Sequence, residues 1–406
     1  MVIVHSFSLA LIPPIEKTDA LLTTVGVSAN HDELFSPLIS IAWDATRKIL
    51  GLAAREFGST GARVRRKRNR MNETTQTAPA QSPPATAPEN IPVSLRGFDD
   101  TAEAERFAHL IAYYLRELSR GIDLSDLDGV TIAHDYENAL LELDRGFETS
   151  HKLTPSRSHA VGIAMTPQVL RDGKVKSHIV LNYPYVSPLG AESPDDLLAD
   201  QAIHTLAHEA AHVEAASCFD RCFPGILLRQ RCRDAWDAFR WQVILACYEE
   251  YTACRLSAPF GADPTSGIED VFLQTLAKTK DDADKAVSDY FDHKDIDRVF
   301  AEVYGVHGTL LKFAAYHLGN RAGLGKDLND LPDTAAALES SWFASHYHKL
   351  KSALDEIGNN HCVWETRDVF EVIGDLVDEM AMKSGIQPRL LSDGRLWIDV
   401  FEQPSV

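Results

Sequence analysis

The residues best suited to chemistry lie at positions 208–212, where the sequence reads His-Glu-Ala-Ala-His. On a helix, His208 and His212 are one turn apart and project from the same face, so their imidazoles can take two corners of a zinc tetrahedron. Glu209 follows the first His directly, which lets its carboxylate reach a metal-bound water without binding the metal itself. The pattern therefore predicts a Zn²⁺ site with His208 and His212 as ligands and Glu209 as the general base.

The segment around this motif has the features of a helix. Ser193 suits an N-cap, and Pro194 suits the first helical position after it. Two alanines separate Glu209 from His212, and such small side chains allow close packing beneath a metal ion. The alternative is an alanine-rich helix that carries His and Glu on its surface, and the motif alone leaves that alternative open.

A catalytic zinc needs a third protein ligand and one position left open for water. In one class of metalloenzyme the third ligand is a His six residues after the second His, with a Gly midway between them. Ala215 and Cys218 occupy those places here, so this class is rejected. In the other main class a Glu from a later helix supplies the third ligand.

The helix expected over residues 234–257 offers two glutamates for that role, Glu249 and Glu250. Glu250 continues the apolar stripe of the helix, and a carboxylate on a core-facing stripe is costly unless it is paired or bound to metal. Glu249 is offset by one residue and remains the rival. In a third interpretation both glutamates are solvated or paired with Arg255. We expect Glu250 to be the ligand.

With these residues in view, the chain resembles the gluzincin zinc metallopeptidases. His208-Glu-Ala-Ala-His212 is followed by a helix that bears Glu250. The run Glu-Tyr-Thr-Ala-Cys-Arg-Leu-Ser from Glu250 onward resembles the second-helix motif of compact bacterial and phage-associated members of the ImmA/IrrE type. The resemblance covers roughly residues 125–260. It implies Zn²⁺ bound by His208, His212 and Glu250, with Glu209 as the general base.

The resemblance also implies a zincin-like core, with a small twisted sheet, an active-site helix and a Glu-bearing helix beneath it. In such a core the edge strand before the active-site helix, here around residues 180–182, would pair with an extended peptide. The chain departs from the family pattern in two respects. The interval from His212 to Glu250 is long for a compact member, and no helix-turn-helix domain is recognisable, so a repressor-cleaving role is not supported.

Composition limits the classes of partner. The net charge is −19; residues 1–70 carry +4, so the remainder carries −23. A body this acidic repels nucleic-acid phosphates, which makes nucleic-acid binding by it unfavourable. No apolar run of about 18 residues predicts a membrane span. The six cysteines form no recognisable disulfide framework and the start is a poor secretory signal, so reduced thiols in the cytoplasm are expected.

The expected fold class is α+β. Residues 1–70 form an N-terminal extension without an assigned role, unless translation starts at Met71, and residues 71–92 read as a disordered linker rich in Thr, Pro, Ala and Gln. Residues 93–260 are expected to form the zincin-like metallopeptidase domain, and residues 261–406 a helical C-terminal region.

Local patterns predict several strands in this body. They fall at residues 130–133, 159–166, 177–182 and 396–400, with turn chemistry at Asp172-Gly173. The turn lies between the second and third of these strands, so we expect those two to form a hairpin-like pair.

These residues predict a hydrolase that cleaves peptide bonds with a Glu-activated, zinc-bound water. The substrate would be a peptide or protein, and the linker offers a site for self-cleavage. A catalytically inactive zincin-fold binding or regulatory protein is the alternative, with a structural zinc and Cys218 as its fourth ligand. His204, one turn before His208, is expected to be an ordinary polar helix position. Three residues could donate a hydrogen bond to the oxyanion, and the sequence does not choose among them: Tyr251, Tyr304 and His307.

Overall fold

The computed structural model describes residues 83–149, 152–155, 162–190 and 197–401. The strands of these described residues are β1 (Val93–Arg96), β2 (Leu127–Ala133), β3 (Ala164–Met165), β4 (Gln168–Arg171), β5 (Lys174–Asn182), β6 (Ile386–Leu390) and β7 (Leu396–Val400). The α-helices of the same part of the chain are α1 (Thr101–Leu118), α2 (Tyr136–Leu141), α3 (Tyr183–Val186), α4 (Leu197–Cys222), α5 (Ala235–Ser257), α6 (Thr265–His293), α7 (Ile296–Leu324), α8 (Pro332–Glu339), α9 (Ala344–Asn359) and α10 (Asp368–Lys383).

The fold is mixed α/β, with a small sheet in the first half and a helical C-terminal region, as the sequence predicts at this level of detail. Residues 1–70, the first part of the predicted linker and the predicted helix start at 193–196 lie outside the described residues. None of the described helices is long and apolar enough to cross a membrane.

The main sheet has the order β1-β2-β5-β3, and β4 also pairs with β5. Strands β1, β2 and β5 are parallel, whereas β3 and β4 run antiparallel to β5. Asp172 and Gly173 both have positive φ, at 51° and 74°, which suits a two-residue turn between antiparallel strands. The predicted turn is confirmed, and it joins β4 to β5.

The predicted edge strand at residues 180–182 is not an edge. Val180 pairs with Thr131 of β2 on one side and with Met165 of β3 on the other. Leu181 is likewise paired on both sides, so this part of β5 has no free main-chain groups for a peptide. The error arises because strand order depends on long-range pairing, which local patterns do not encode. Within the described residues, β3 lies at the end of the sheet order.

Helix α4, which carries the His-Glu-Ala-Ala-His motif, is buried along most of its length. Its first two-thirds, including Ala207 and Ala211, pack in a core with α1, β2 and β5. Its last turns, including Ala215 and Phe219, belong to a larger core formed with α5, α7 and α10. A helix covered in this way offers no solvated face for a histidine, so its polar side chains need partners within the protein.

Helix α5 begins as predicted, because the Asp234 side chain accepts a hydrogen bond from the main-chain N–H of Asp237 at 2.8 Å. Its packing against α7 depends on glycine. A Cβ added at Gly319 would collide with the main-chain oxygen of Tyr251. The two helix backbones therefore approach more closely than side chains would allow, and this brings α7 next to Glu250.

Part of the predicted disordered linker is ordered. Thr86 donates from its main-chain N–H and its hydroxyl to the carbonyl of Ser119, at 3.2 and 3.0 Å. The guanidinium of Arg116 donates to the carbonyl of Glu89 at 2.6 Å. Residues 83–92 are thus held along α1, and the prediction of disorder is wrong for them. Hydrogen bonds that involve main-chain groups stabilise this segment, which has few apolar side chains to bury.

The prediction that all cysteines are reduced also requires correction. Cys218 on α4 is disulfide-bonded to Cys362, which follows α9, and their Cα atoms are 4.8 Å apart. The two residues are separated by 144 positions, so no local spacing signals the pairing. The remaining cysteines are unbonded, and they are Cys222, Cys232, Cys247 and Cys254.

Candidate metal centre

Three side chains from two helices converge on one point. The Nε2 atoms of His208 and His212, both on α4, are 3.1 Å apart. The Oε2 atom of Glu250, on α5, is 3.5 Å from each of these nitrogens. The structure therefore brings together the three residues that the sequence predicts as metal ligands.

The triangle of ligand atoms has the dimensions of one face of a zinc tetrahedron. With metal–nitrogen and metal–oxygen bonds of about 2.0–2.1 Å, neighbouring ligand atoms in a tetrahedral site lie about 3.3–3.4 Å apart. The observed separations of 3.1 and 3.5 Å lie on either side of that value. Two imidazoles and a carboxylate are also ligands that zinc accepts, and they leave a fourth corner for a water or substrate oxygen.

The electrostatics of the cluster keep Glu250 ionised. Burial alone would raise the pKa of its carboxyl group, but the hydrogen bonds and charges of His208 and His212 outweigh burial and lower this pKa well below its usual value. For His212, burial lowers the pKa, and the Glu250 carboxylate outweighs burial, so the net shift is upward. The carboxylate is therefore in the charged form that a metal ion requires.

Glu249 points away from this cluster. Its Oε1 accepts a hydrogen bond at 3.3 Å from the side-chain amide of Gln168, the first residue of β4. Burial, followed by the charge of Glu250, raises the pKa of Glu249 well above its usual value. A neutral, buried carboxyl group facing the sheet is a poor candidate for a cation ligand, which distinguishes Glu249 from Glu250.

Glu209, the predicted general base, lies beside the triangle and is fully buried. The hydroxyl of Thr166, which follows β3, donates to Glu209 Oε2 at 2.6 Å. The same hydroxyl oxygen lies 3.1 Å from the main-chain oxygen of Glu209. The end of β3 thus fixes the orientation of the carboxylate. The sequence analysis missed Thr166, and only its place at the end of a predicted strand marked it.

A second residue that sequence reasoning missed is Tyr316, from α7. Its ring stacks on that of His208, with centroids 5.8 Å apart and planes at 10°. Burial, followed by the charge of the neighbouring Glu250, raises the pKa of Tyr316 well above 10. The hydroxyl is therefore a neutral donor at any physiological pH. An aromatic residue on a helix is too common a pattern to reveal such a role.

The other ring nitrogen of His208 also has a neighbour. Its Nδ1 lies 3.9 Å from the Sγ atom of Cys254, one turn after Glu250. A weak hydrogen bond there favours the tautomer in which Nδ1 carries the proton and Nε2 is available to a metal. Cys254 is buried and burial raises the pKa of its thiol well above the usual value, so it is a neutral neighbour.

The three residues considered as oxyanion donors are engaged elsewhere. The Tyr251 hydroxyl contacts Asp355 at 3.5 Å, and the Tyr304 hydroxyl donates to Asp378 at 2.5 Å. His307 Nε2 lies 2.9 Å from the Ser384 hydroxyl. His204 is a buried neighbour one turn before His208, and its Nδ1 lies 3.1 Å from the main-chain oxygen of Phe260. It is a polar position of the helix, and it is buried.

No protein-family model, no curated protein and no solved structure matches this chain. The function must therefore be inferred from the arrangement of its own residues. Two features of that arrangement bear on the inference. The three predicted ligand residues and Glu209 are each, as whole residues, at most 1% exposed. Cys218, the suggested fourth ligand, is bonded to Cys362 and belongs to a separate cluster with His361.

Proposed function

We propose that this chain is a zinc-dependent metallopeptidase of the gluzincin type. His208, His212 and Glu250 would be the zinc ligands, and Glu209 the general base. The observation that carries the proposal is the triangle of ligand atoms, with edges of 3.1 and 3.5 Å, next to an oriented carboxylate. The placement of a small sheet beside α4 and of α5 beneath it supports a zincin-like core.

A zinc ion held here would supply a Lewis acid that polarises a peptide carbonyl and acidifies a water molecule. The chain's own contribution is proton transfer and positioning. Glu209 accepts the proton of the attacking water and returns it to the nitrogen of the leaving amine. Thr166 holds that carboxylate in place, while Tyr316 and Cys254 orient Glu250 and His208 in the way that outer neighbours of metal ligands do.

The substrate would be a peptide segment in extended conformation. Because β5 is paired on both sides, β3 is the strand that could accept such a segment by main-chain hydrogen bonding. Thr166 stands at the end of β3 and contacts Glu209, so a peptide paired there would lie close to the general base. Since the ligands are buried, productive binding requires the covering side chains to move.

A second candidate is a catalytically inactive zincin-fold protein in which zinc is structural. The burial of His208, Glu209, His212 and Glu250 favours it. Structural zinc sites are usually closed by four protein ligands, whereas the described residues bring three ligand side chains to this point. For that reason the catalytic function is the better supported of the two.

Glu209→Gln separates these functions. Zinc-loaded wild-type chain would be incubated with a mixture of unstructured peptides, and new termini detected by mass spectrometry. We expect cleavage that a chelator abolishes and zinc restores, and a rate about 10²–10⁴-fold lower in Glu209→Gln with zinc content unchanged. Intact mass of the chain itself, with and without chelator, tests self-cleavage in the linker at residues 71–92.

Glu249→Gln is the matched control, since it changes an equally buried carboxyl group that faces away from the ligands. Full hydrolytic activity in zinc-loaded Glu209→Gln would refute the mechanism. Bound zinc without hydrolysis of any peptide by the wild type would support the structural-zinc candidate. Folded wild-type chain that binds no zinc would exclude both.

A further inference from the structure

A second group of metal-binding side chains lies further along α4. Cys218 comes six residues after His212, which is about 9 Å along the helix axis. It is bonded to Cys362, and His361 precedes that cysteine in the loop between α9 and α10. These three residues offer ligand atoms within 4.8 Å of one another. Glu214, one turn before Cys218, completes the group.

The imidazole of His361 connects the members of this group. Its Nε2 lies 3.3 Å from the Sγ atom of Cys218 and 2.9 Å from Oε1 of Glu214. The other oxygen of Glu214 accepts the main-chain N–H of Asp123 at 2.6 Å, which fixes the carboxylate. The two sulfurs and the imidazole nitrogen therefore form one cluster, and the Glu214 carboxylate adjoins it through His361. Thiolate, imidazole and carboxylate are all groups that zinc accepts as ligands.

We propose that reduction of the Cys218–Cys362 disulfide opens a second zinc site, whose ligands are Cys218, Cys362, His361 and Glu214. This site is closed, with four protein ligands and no open corner, which is the arrangement of structural zinc. It would clamp the end of α4 to the loop between α9 and α10. The disulfide and the zinc would be alternative ways of making the same connection.

Charge favours a cation once the disulfide is reduced. Once Cys218 and Cys362 lose their protons to act as ligands, their two thiolates and the Glu214 carboxylate carry three negative charges. The guanidinium of Arg221 lies 3.5 Å from the Sγ atoms of both cysteines, but it is shared with Asp123, to which it donates at 2.8 Å. One shared positive charge cannot offset three negative ones, and a divalent cation among the four ligands would.

The site is also accessible. Cys218 is fully buried, whereas Cys362 and His361 are partly exposed, so a reductant and a metal ion can approach from the side of the loop. With a phosphine as reductant, the S–S bond breaks, the phosphine takes the oxygen of one water, and the two sulfurs take its two protons. Binding of Zn²⁺ then releases those two protons and forms two zinc–sulfur bonds.

The test is zinc content of the full chain, measured by elemental analysis before and after phosphine reduction under nitrogen. Zinc would be added in slight excess and removed by gel filtration. We expect one zinc per chain before reduction and two after it. Reduced Cys362→Ser should bind one zinc. Reduced Cys222→Ser, a control at an unbonded cysteine on the same helix as Cys218, should bind two. His208→Ala should lose only the other zinc.

Cobalt gives an independent readout. Co²⁺ bound by two thiolates absorbs in the near ultraviolet through sulfur-to-metal charge transfer, and this band should appear only after reduction and be strongly weakened in Cys362→Ser. Equal metal content of the reduced wild type and reduced Cys362→Ser would overturn the proposal, as would absence of the charge-transfer band. Because His208→Ala removes the proposed peptidase site and leaves this one, absence of metal binding at the second site can be distinguished from absence of metal binding at the first.

Discussion

Exchange of one buried glutamate for glutamine tests the proposal that Glu250, rather than Glu249, binds zinc. Glu249 and Glu250 are adjacent on α5 and are both at most 1% exposed, so Glu→Gln changes charge at two equally buried positions with little change in volume. Only Glu250 contributes an oxygen to the ligand triangle, 3.5 Å from each histidine nitrogen. We therefore expect Glu250→Gln to lose zinc and Glu249→Gln to keep it.

The size of the effect follows from the positions of the two groups. Loss of an outer partner of a metal ligand typically weakens metal binding about 10–100-fold. Glu250 is placed as a direct ligand and supplies the only negative charge in the triangle, so its replacement should weaken zinc binding more than about 100-fold, which corresponds to over ~2.7 kcal/mol. Glu249 is neutral and hydrogen-bonded to Gln168, so its replacement should change the affinity less than about threefold.

The assay is competition for Zn²⁺ between each variant and a chromophoric chelator, with the disulfide left intact so that one site is measured. Circular dichroism would establish that both variants are folded. Retained affinity in Glu250→Gln together with lost affinity in Glu249→Gln would reverse the assignment. Wild-type affinity in both variants would show that the metal binds elsewhere.

Three further outcomes are expected. Thr166→Val removes the hydrogen bond to Glu209, so kcat for peptide hydrolysis should fall about 10–100-fold with zinc content unchanged; an unchanged kcat would contradict the positioning role. Tyr316→Phe removes a buried hydroxyl that interacts with the charge of Glu250, so competition with a chelator should show zinc affinity weakened about 10–100-fold. Burial and the neighbouring histidine lower the pKa of His307 to about 3, whereas in the unfolded chain it is about 6.5. As pH falls, the imidazole therefore binds a proton in the unfolded state before it does so in the folded state. The folded state loses stability over the range from about pH 6.5 toward pH 3. At pH 5 the free energy of unfolding is lower by about 2 kcal/mol for this reason. Urea titrations of the wild type at pH 7 and pH 5 should show this decrease. The decrease should be smaller by about the same amount in His307→Gln.

Sequence reasoning reached the parts of the site that are encoded locally. His208, Glu209 and His212 lie within one helical turn, so their spacing alone places them together. The apolar stripe of α5 favours Glu250 over Glu249, and the observed helix does turn Glu250 toward α4. In both cases the periodicity of a single helix determines which way a side chain points.

The parts that sequence reasoning missed depend on contacts between distant segments. Tyr316 contacts His208 because Gly319 allows α7 to approach α5 closely. No sequence pattern within α7 predicts that contact. The pairing of Cys218 with Cys362 spans 144 residues. The error at residues 180–182 has the same origin, since β2, from an earlier part of the chain, pairs with the side of β5 that was expected to be free.

The proposed ligands are buried partly by residues that the ribosome synthesises after them. The ligand set is complete in the chain once Glu250 has been synthesised, whereas Tyr316 follows 66 residues later. At roughly 5–20 residues per second, a ribosome needs about 3–13 s to make that interval. During this time α4 and α5 lack the helix that stacks on His208. If the site binds zinc as proposed, the ion can therefore enter on the nascent chain before the protein encloses it. A site that is closed in the finished molecule then need not be loaded through a closed surface.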